Sequence, residues 1–239
     1  MNTIEFFGPS GSGKTYLRNK LILKYFKEKK IYDYKSVNYN FSKNSGFVKI
    51  YFLLLKSKFI KKLKNILQIK KLKNSFLNSF YEKYKKNIST INYKKNEYNN
   101  LNKIKKLIEN SNFNYNQKQL FLVWANEEFG GSKIAREIKD SNCVLIDSEG
   151  LIQRLFLYCY KKKNKPKIIK NYLNLINIPK ALIYFKYFRS RKKYFYNFDN
   201  NELKNIFFLT LKELKKKKII LIDSNKSLEK IYDKLKSLR

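Results

Sequence analysis

Residues 8–15 read Gly8-Pro9-Ser10-Gly11-Ser12-Gly13-Lys14-Thr15, three glycines within six residues, closed by a lysine and a hydroxyl. Glycine backbones can wrap a phosphate at close range, and successive N–H groups with a helix N-terminus behind them supply fixed positive potential. At this spacing Lys14 is the side chain expected to reach β- and γ-phosphates, and Thr15 the hydroxyl expected on Mg²⁺. The apolar run Thr3 to Phe7 enters the glycine turn, and Leu17, Leu21 and Tyr25 follow at helical spacing. Strand, loop and helix is the context such a motif needs. The expectation is a P-loop in which Gly8, Pro9, Ser10, Gly11, Ser12, Gly13, Lys14 and Thr15 hold ATP or GTP with magnesium.

A magnesium site of this kind also needs an acid at the end of a neighbouring strand, the phosphates supplying further oxygens. Asp147 closes the apolar run Cys143-Val144-Leu145-Ile146-Asp147 and is the candidate metal partner of Thr15; its competing role is a cap for the helix that follows. Glu149, two residues on, could orient an acceptor hydroxyl, take its proton or support the metal, or be a solvated carboxylate near a helix N-terminus. Arg154 could contact a phosphate or the acceptor, or form a surface ion pair. Arg189 and Arg191 could close over the charge that develops on a transferred phosphoryl group, or solvate a surface with Lys186, Lys192 and Lys193. Asp223 ends another apolar run, but Ser224, Asn225 and Ser227 read as caps of the last helix. Glu5 reads as structural, and Trp124 as core.

These residues must be positioned by strands that alternate with helices. After Thr3 to Phe7 come a possible second strand at Ser36 to Tyr39, the run ending at Asp147, and further runs at Ala181 to Tyr187 and Ile219 to Asp223. Helical patterns lie at Leu120 to Phe129, broken by Gly130-Gly131, and at Leu151 to Tyr160, Leu203 to Leu214 and Leu228 to Leu235. Buried apolar strands alternating with helices predict an α/β three-layer sandwich with a mainly parallel sheet of about five strands. Residues 1–42 and 119–239 read as this core. Residues 43–118 are Lys- and Asn-rich but carry Phe52, Leu55, Phe59, Leu63 and Ile66, then Phe76, Phe80 and Tyr84, at helical spacing, and read as a basic helical insertion. Asn87 to Asn102 reads as loop or poorly ordered chain.

Lys and Arg number 54 against 18 Asp and Glu, a formal net charge of +36. Such a field suits anionic partners, nucleic acid or an acidic membrane surface reached through the insertion. Only six of the 54 are Arg, however, and Lys, Asn, Ile, Tyr and Phe all have A/T-rich codons, so nucleotide bias explains the charge equally well. Arg18, Arg136, Arg154, Arg189 and Arg191 resist that bias and keep a fork suited to bidentate phosphate contact. Two cysteines, Cys143 and Cys159, make no disulfide framework or metal pair, no leader precedes the first strand, and no apolar run is long enough to cross a bilayer. A cytoplasmic location is expected.

The loop Gly8 to Thr15, the passage Ala181-Leu182-Ile183-Tyr184-Phe185 leading to Arg189 and Arg191, and Ile219 to Asp223 followed by Leu228 and Ile231 resemble the P-loop kinases, in particular thymidylate-kinase-like nucleoside and nucleotide kinases. The resemblance covers about the first 40 residues and the last 100. It implies a five-stranded parallel sheet with helices on both faces, ATP as phosphoryl donor, Mg²⁺ as cofactor and a small-molecule acceptor such as a nucleoside, nucleotide or sugar. Three departures stand beside it. The family's acid-then-Arg pair becomes Asp147-Ser148-Glu149 with Arg154 the next arginine, no clear carboxylate ends the expected second strand, and residues 43–118 have no counterpart in compact members. The alternative expectation is an NTP hydrolase or switch working with nucleic acid or an acidic membrane.

Overall fold

The computed structural model describes residues 1–34, 36–37, 94–111, 113–186 and 199–236. Five parallel strands, β1 (Asn2–Phe7), β2 (Lys30–Tyr32), β3 (Cys143–Asp147), β4 (Ala181–Tyr184) and β5 (Ile220–Asp223), form one sheet in the order β2-β3-β1-β4-β5. Among the described residues the helices are α1 (Lys14–Tyr25), α2 (Lys95–Glu109), α3 (Tyr115–Glu137), α4 (Leu155–Cys159), α5 (Lys165–Leu175), α6 (Asn200–Leu214) and α7 (Leu228–Lys236), with a 3-10 turn at Ile152–Arg154. None of them is long and apolar enough to cross a membrane.

Both faces of the sheet are covered, and the side-chain period of two along each strand sorts residues between them. Ile4 and Phe6 of β1, Val144 and Ile146 of β3, and Ala181 and Ile183 of β4 pack with Leu21 of α1 and with Ile231 and Leu235 of α7. Phe7, Leu145 and Leu182 point the other way, into a larger cluster with residues of α2 to α6. Glu5 lies between Ile4 and Phe6 and belongs to that second face. Within the larger cluster Phe7 stacks between Phe156 and Phe207, at ring centroid distances of 5.0 and 5.1 Å.

Several sequence expectations change. The second strand is Lys30–Tyr32, not Ser36 to Tyr39: three residues at a sheet edge, too short to leave an apolar signature. The chain then enters a helical turn at Tyr34, capped by Asp33, whose Oδ1 accepts from the Ser36 N–H at 2.7 Å. Residues 95–102, read as loop, form the start of α2, whose stripe Leu101, Ile104 and Ile108 is buried; the stripe extends past the Asn-rich window, so the window alone looked aperiodic. Gly130-Gly131 does not break α3. The Tyr34 backbone lies against Gly131, where a Cβ would meet the Tyr34 carbonyl oxygen at 2.2 Å, so close packing outweighs the roughly 1 kcal/mol helix penalty of a glycine. Helix α5 had not been expected; Pro166 in its first turn and the buried Ile169, Tyr172 and Leu173 are its signals. The amphipathic pattern between Phe52 and Tyr84 lies outside the described residues. The described part of the expected insertion, α2 and the start of α3, contributes Leu101, Ile104 and Ile108 to the same core as the sheet.

Candidate functional site

The Gly8–Thr15 loop leaves the carboxyl end of β1, the central strand. Chain order moves from β1 to β2 and β3 on one side and to β4 and β5 on the other, so the loop sits where the strand order reverses. Open α/β sheets place ligand crevices at such points, outside the strand ends. The loop itself is tight. Ser12 N–H donates to the Pro9 carbonyl at 3.3 Å, and Gly13, at φ +93°, turns directly into α1 in a conformation that a side chain would strain. On the other side Phe185 N–H donates to the Phe7 carbonyl at 2.8 Å, and Phe185 packs so closely on Gly8 that a Cβ there would come within 2.7 Å of it.

Three features of this loop fit a polyanion. First, α1 has no acidic residue in its first turn, so nothing of its own offsets the partial positive charge at its N-terminus. Second, Lys14 is 5% exposed, and its Nζ donates to the Gly8 and Pro9 carbonyls, each at 2.9 Å, while no described carboxylate pairs with it. Burial pushes its pKa down to about 8, against a smaller upward pull from Glu149. Third, the Ser12 hydroxyl oxygen is buried without a hydrogen-bond partner among the described residues. Thr15 is exposed beside Lys14 at the start of α1.

Asp147 ends β3, the strand paired with β1, in register with Glu5. Its Oδ1 accepts from the Glu149 N–H at 2.9 Å and its Oδ2 from the Tyr34 N–H at 3.2 Å, so the carboxylate ties two loops together. Burial pushes its pKa up; the Glu149 N–H opposes that, and the charge of Asp33 adds to it. Asp33 directly follows the observed β2, so a carboxylate does stand at the end of the second strand. It escaped the sequence reading because that strand was expected to start at Ser36, six residues after its observed start at Lys30. Glu149 is exposed. Asp223 is held by Lys186 at 2.6 Å and accepts from the Asn225 N–H, which leaves Asp147 as the strand-end acid beside the loop.

Beneath Asp147 lies a buried polar cluster that the sequence reading missed. Glu5 is fully buried; its Oε1 accepts from the Tyr34 hydroxyl at 2.5 Å and its Oε2 from the Ile152 N–H at 2.9 Å. Burial raises its pKa to about 8, the two hydrogen bonds offsetting only part. Gly150 leaves room for it, since a Cβ there would meet the Glu5 carboxyl carbon at 2.6 Å. Arg154 is also buried. Its Nε donates to both Glu128 oxygens at 2.9 and 3.0 Å, its Nη2 donates to Glu128 Oε1, and its guanidinium lies 4.2 Å from the Trp124 ring centroid. The expected alternatives of a phosphate contact or a surface pair give way to an internal ion pair between the turn after β3 and α3.

Gln153, in the 3-10 turn, is the other residue without a sequence signal. Its Oε1 accepts from the Gly8 N–H at 3.1 Å and its Nε2 donates to the Gly8 carbonyl at 2.9 Å. The two residues are 145 positions apart, so only the fold brings them together. Arg189 and Arg191 lie outside the described residues. Among the described residues no three metal-ligating side chains cluster, so a cation beside the loop would draw on one hydroxyl, one carboxylate and its ligand's own oxygens.

Fold and site together define a parallel α/β protein with a lysine-bearing glycine loop at the crevice of its sheet. The chain matches no protein-family model and no curated protein.

Proposed function

We propose that this chain is a magnesium-dependent P-loop phosphotransferase that binds ATP or GTP and passes the γ-phosphate to a small hydroxyl-bearing acceptor, a nucleoside, nucleotide or sugar-like molecule. One observation carries the reading: Lys14, a buried cation with no carboxylate partner among the described residues, is held on the carbonyls of a glycine loop at the sheet's switch point, and the strand paired with β1 ends in the acid Asp147.

In this reading the loop N–H groups and the α1 N-terminus bind the phosphates, and Lys14 exchanges its two carbonyl partners for phosphate oxygens. Thr15 and Asp147 would hold Mg²⁺, which when bound neutralises charge on the phosphates. Asp33 and Glu149 are the carboxylates available to orient an acceptor hydroxyl or take its proton. Asp33 follows β2, where the resembled nucleoside kinases keep a catalytic base; its present partner is the Ser36 N–H. The Arg154–Glu128 pair fixes the turn that carries Asp147 and Glu149.

The test is an Mg²⁺-dependent turnover screen of ATP and GTP against nucleosides, nucleotides, sugars and small alcohols, with Lys14→Ala as control. Acceptor-stimulated ADP or GDP release that the control lacks is expected. Triphosphate binding with no stimulation by any acceptor class would turn the reading toward hydrolysis. That second reading, a hydrolase or switch on nucleic acid or an acidic membrane, draws on the +36 charge, and salt-sensitive stimulation of turnover by either polyanion would favour it.

A further inference from the structure

The Gly8 peptide carries an unusual load. Its carbonyl accepts from Lys14 Nζ and from Gln153 Nε2, both at 2.9 Å, while its N–H donates to Gln153 Oε1 at 3.1 Å. The amide of Gln153 therefore saturates both polar groups of the residue at which β1 ends and the loop begins. A single side chain does this from the turn that also carries Asp147 and Glu149.

Two physical consequences follow. A carbonyl that loses a buried cationic donor must find another donor or drift toward one. Lys14 Nζ spends two of its three donors on these carbonyls, so turning toward the oxygens of two phosphates draws at least one hydrogen bond away from Gly8 or Pro9. Each carbonyl keeps a second donor: Pro9 the Ser12 N–H at 3.3 Å, from within the loop, and Gly8 the Gln153 Nε2 at 2.9 Å, from a different segment of the chain. The hydrogen-bonded pair also links the loop to the segment Ile152–Arg154, whose Ile152 N–H is held by Glu5 and whose Arg154 is held by Glu128.

We propose that Gln153 is a positioning residue of the nucleotide site: by hydrogen-bonding both polar groups of the Gly8 peptide, it keeps the loop in its phosphate-ready shape while the Lys14 ammonium passes from the loop carbonyls to a phosphate. The proposal rests on the nucleotide-binding reading above. It goes beyond that reading in assigning a role to a residue outside the motif, and in making the acid-bearing turn and the loop one mechanical unit.

Gln153→Ala removes both hydrogen bonds. Gln153→Glu keeps the acceptor for the Gly8 N–H but replaces the donor with an oxygen that faces the Gly8 carbonyl and attracts Lys14. The two substitutions separate holding the N–H from supporting the carbonyl. Binding of a fluorescent ATP analogue with Mg²⁺ is measured on the full chain together with thermal unfolding and hydrogen exchange at the Gly8 amide. Wild type should bind. Gln153→Ala should weaken binding about tenfold or more and deprotect the Gly8 amide. Gln153→Glu should leave that amide protected and still bind at least tenfold more weakly than wild type, and lowering the pH toward the carboxyl's own pKa should narrow its gap from wild type, because a neutral carboxyl again offers a donor and an acceptor. A purely structural glutamine would instead lower the unfolding temperature of Gln153→Ala while leaving triphosphate affinity unchanged at temperatures where the variant is folded. Should Gln153→Ala unfold, the near-isosteric Gln153→Glu carries the comparison. Unchanged affinity in a folded variant, with wild type binding, overturns this proposal alone; wild type that binds no triphosphate overturns the nucleotide reading and this proposal with it.

Discussion

Lys14 and Gly8 stand six residues apart in one loop, and the Lys14 ammonium donates to the Gly8 carbonyl at 2.9 Å inside the protein. Among the described residues its hydrogen-bond partners are carbonyl dipoles, with only a smaller pull from the Glu149 charge, and the folded state bears a desolvation penalty that an anionic ligand would relieve.

Replacing Lys14 with Met should therefore stabilise the ligand-free protein while removing triphosphate binding. With a folded pKa of about 8 against 10.5 in the unfolded chain, the penalty is present in full below pH 8, and stability rises between about pH 8 and 10.5 as the native lysine sheds its proton. After loss of the two carbonyl hydrogen bonds, a net gain of about 1–3 kcal/mol at pH 7 is expected from urea unfolding. Titration with ATP and Mg²⁺ should show no binding. A variant that is less stable than wild type would count against Lys14 as an uncompensated buried cation.

Glu5→Gln addresses the opposite end of the pH scale. The Glu5 carboxyl has a folded pKa of about 8 against an ordinary 4.5, so the native state holds a proton that the unfolded chain has lost. Its effect is to make stability fall as pH rises from about 4.5 to about 8, with a slope of up to about 1.4 kcal/mol per pH unit, and to level off above that. The glutamine variant should flatten this part of the profile in denaturant titrations and be the more stable protein at pH 8. Equal slopes for the two proteins would show that Glu5 is ionised in the fold.

Both oxygens of Asp147 accept backbone N–H groups, from Glu149 and Tyr34. An asparagine can accept only one and turns an NH₂ toward the other, a local loss of about 1 kcal/mol. If Asp147 also serves the metal, Asp147→Asn should lower Mg²⁺-dependent turnover by on the order of 100-fold while triphosphate binding without metal persists. Rate measured against Mg²⁺ concentration separates the two effects, and an unchanged rate would reduce Asp147 to a loop tie.

Arg154→Ala should act on stability. Leaving Glu128 buried and unpaired typically costs about 3–5 kcal/mol, whereas Arg154→Met combined with Glu128→Leu should recover most of it. Urea unfolding of both variants makes the comparison. At a temperature where Arg154→Ala is folded, its affinity for ATP should fall far less than its stability, in contrast to Lys14→Ala.

The central strands and the glycine loop were legible because their signals are local. A parallel strand buried on both faces is a short unbroken apolar run, as in Cys143 to Asp147, and the glycine loop is a contiguous string whose glycines and lysine lie within one turn. Where an element is defined by what packs on it, local reading failed. The edge strand Lys30–Tyr32 is too short to show a period, and α3 continues through Gly130-Gly131 because the Tyr34 backbone fills the space a side chain would need. Arg154 illustrates the same limit, its guanidinium being equally suited to a phosphate or to a carboxylate until α3 delivers Glu128 beside it.

By itself, then, the amino-acid sequence determined the loop, its lysine, the strand-end acid and the alternation that makes a parallel α/β sheet, all properties carried within a few consecutive residues. Only the tertiary structure decided which acids are free and which are spent inside, that Asp33 follows a strand, and that Gln153 grips Gly8. Hydrogen bonds and burial between residues more than a hundred positions apart depend on how the strands are ordered, and that order is written in no single segment.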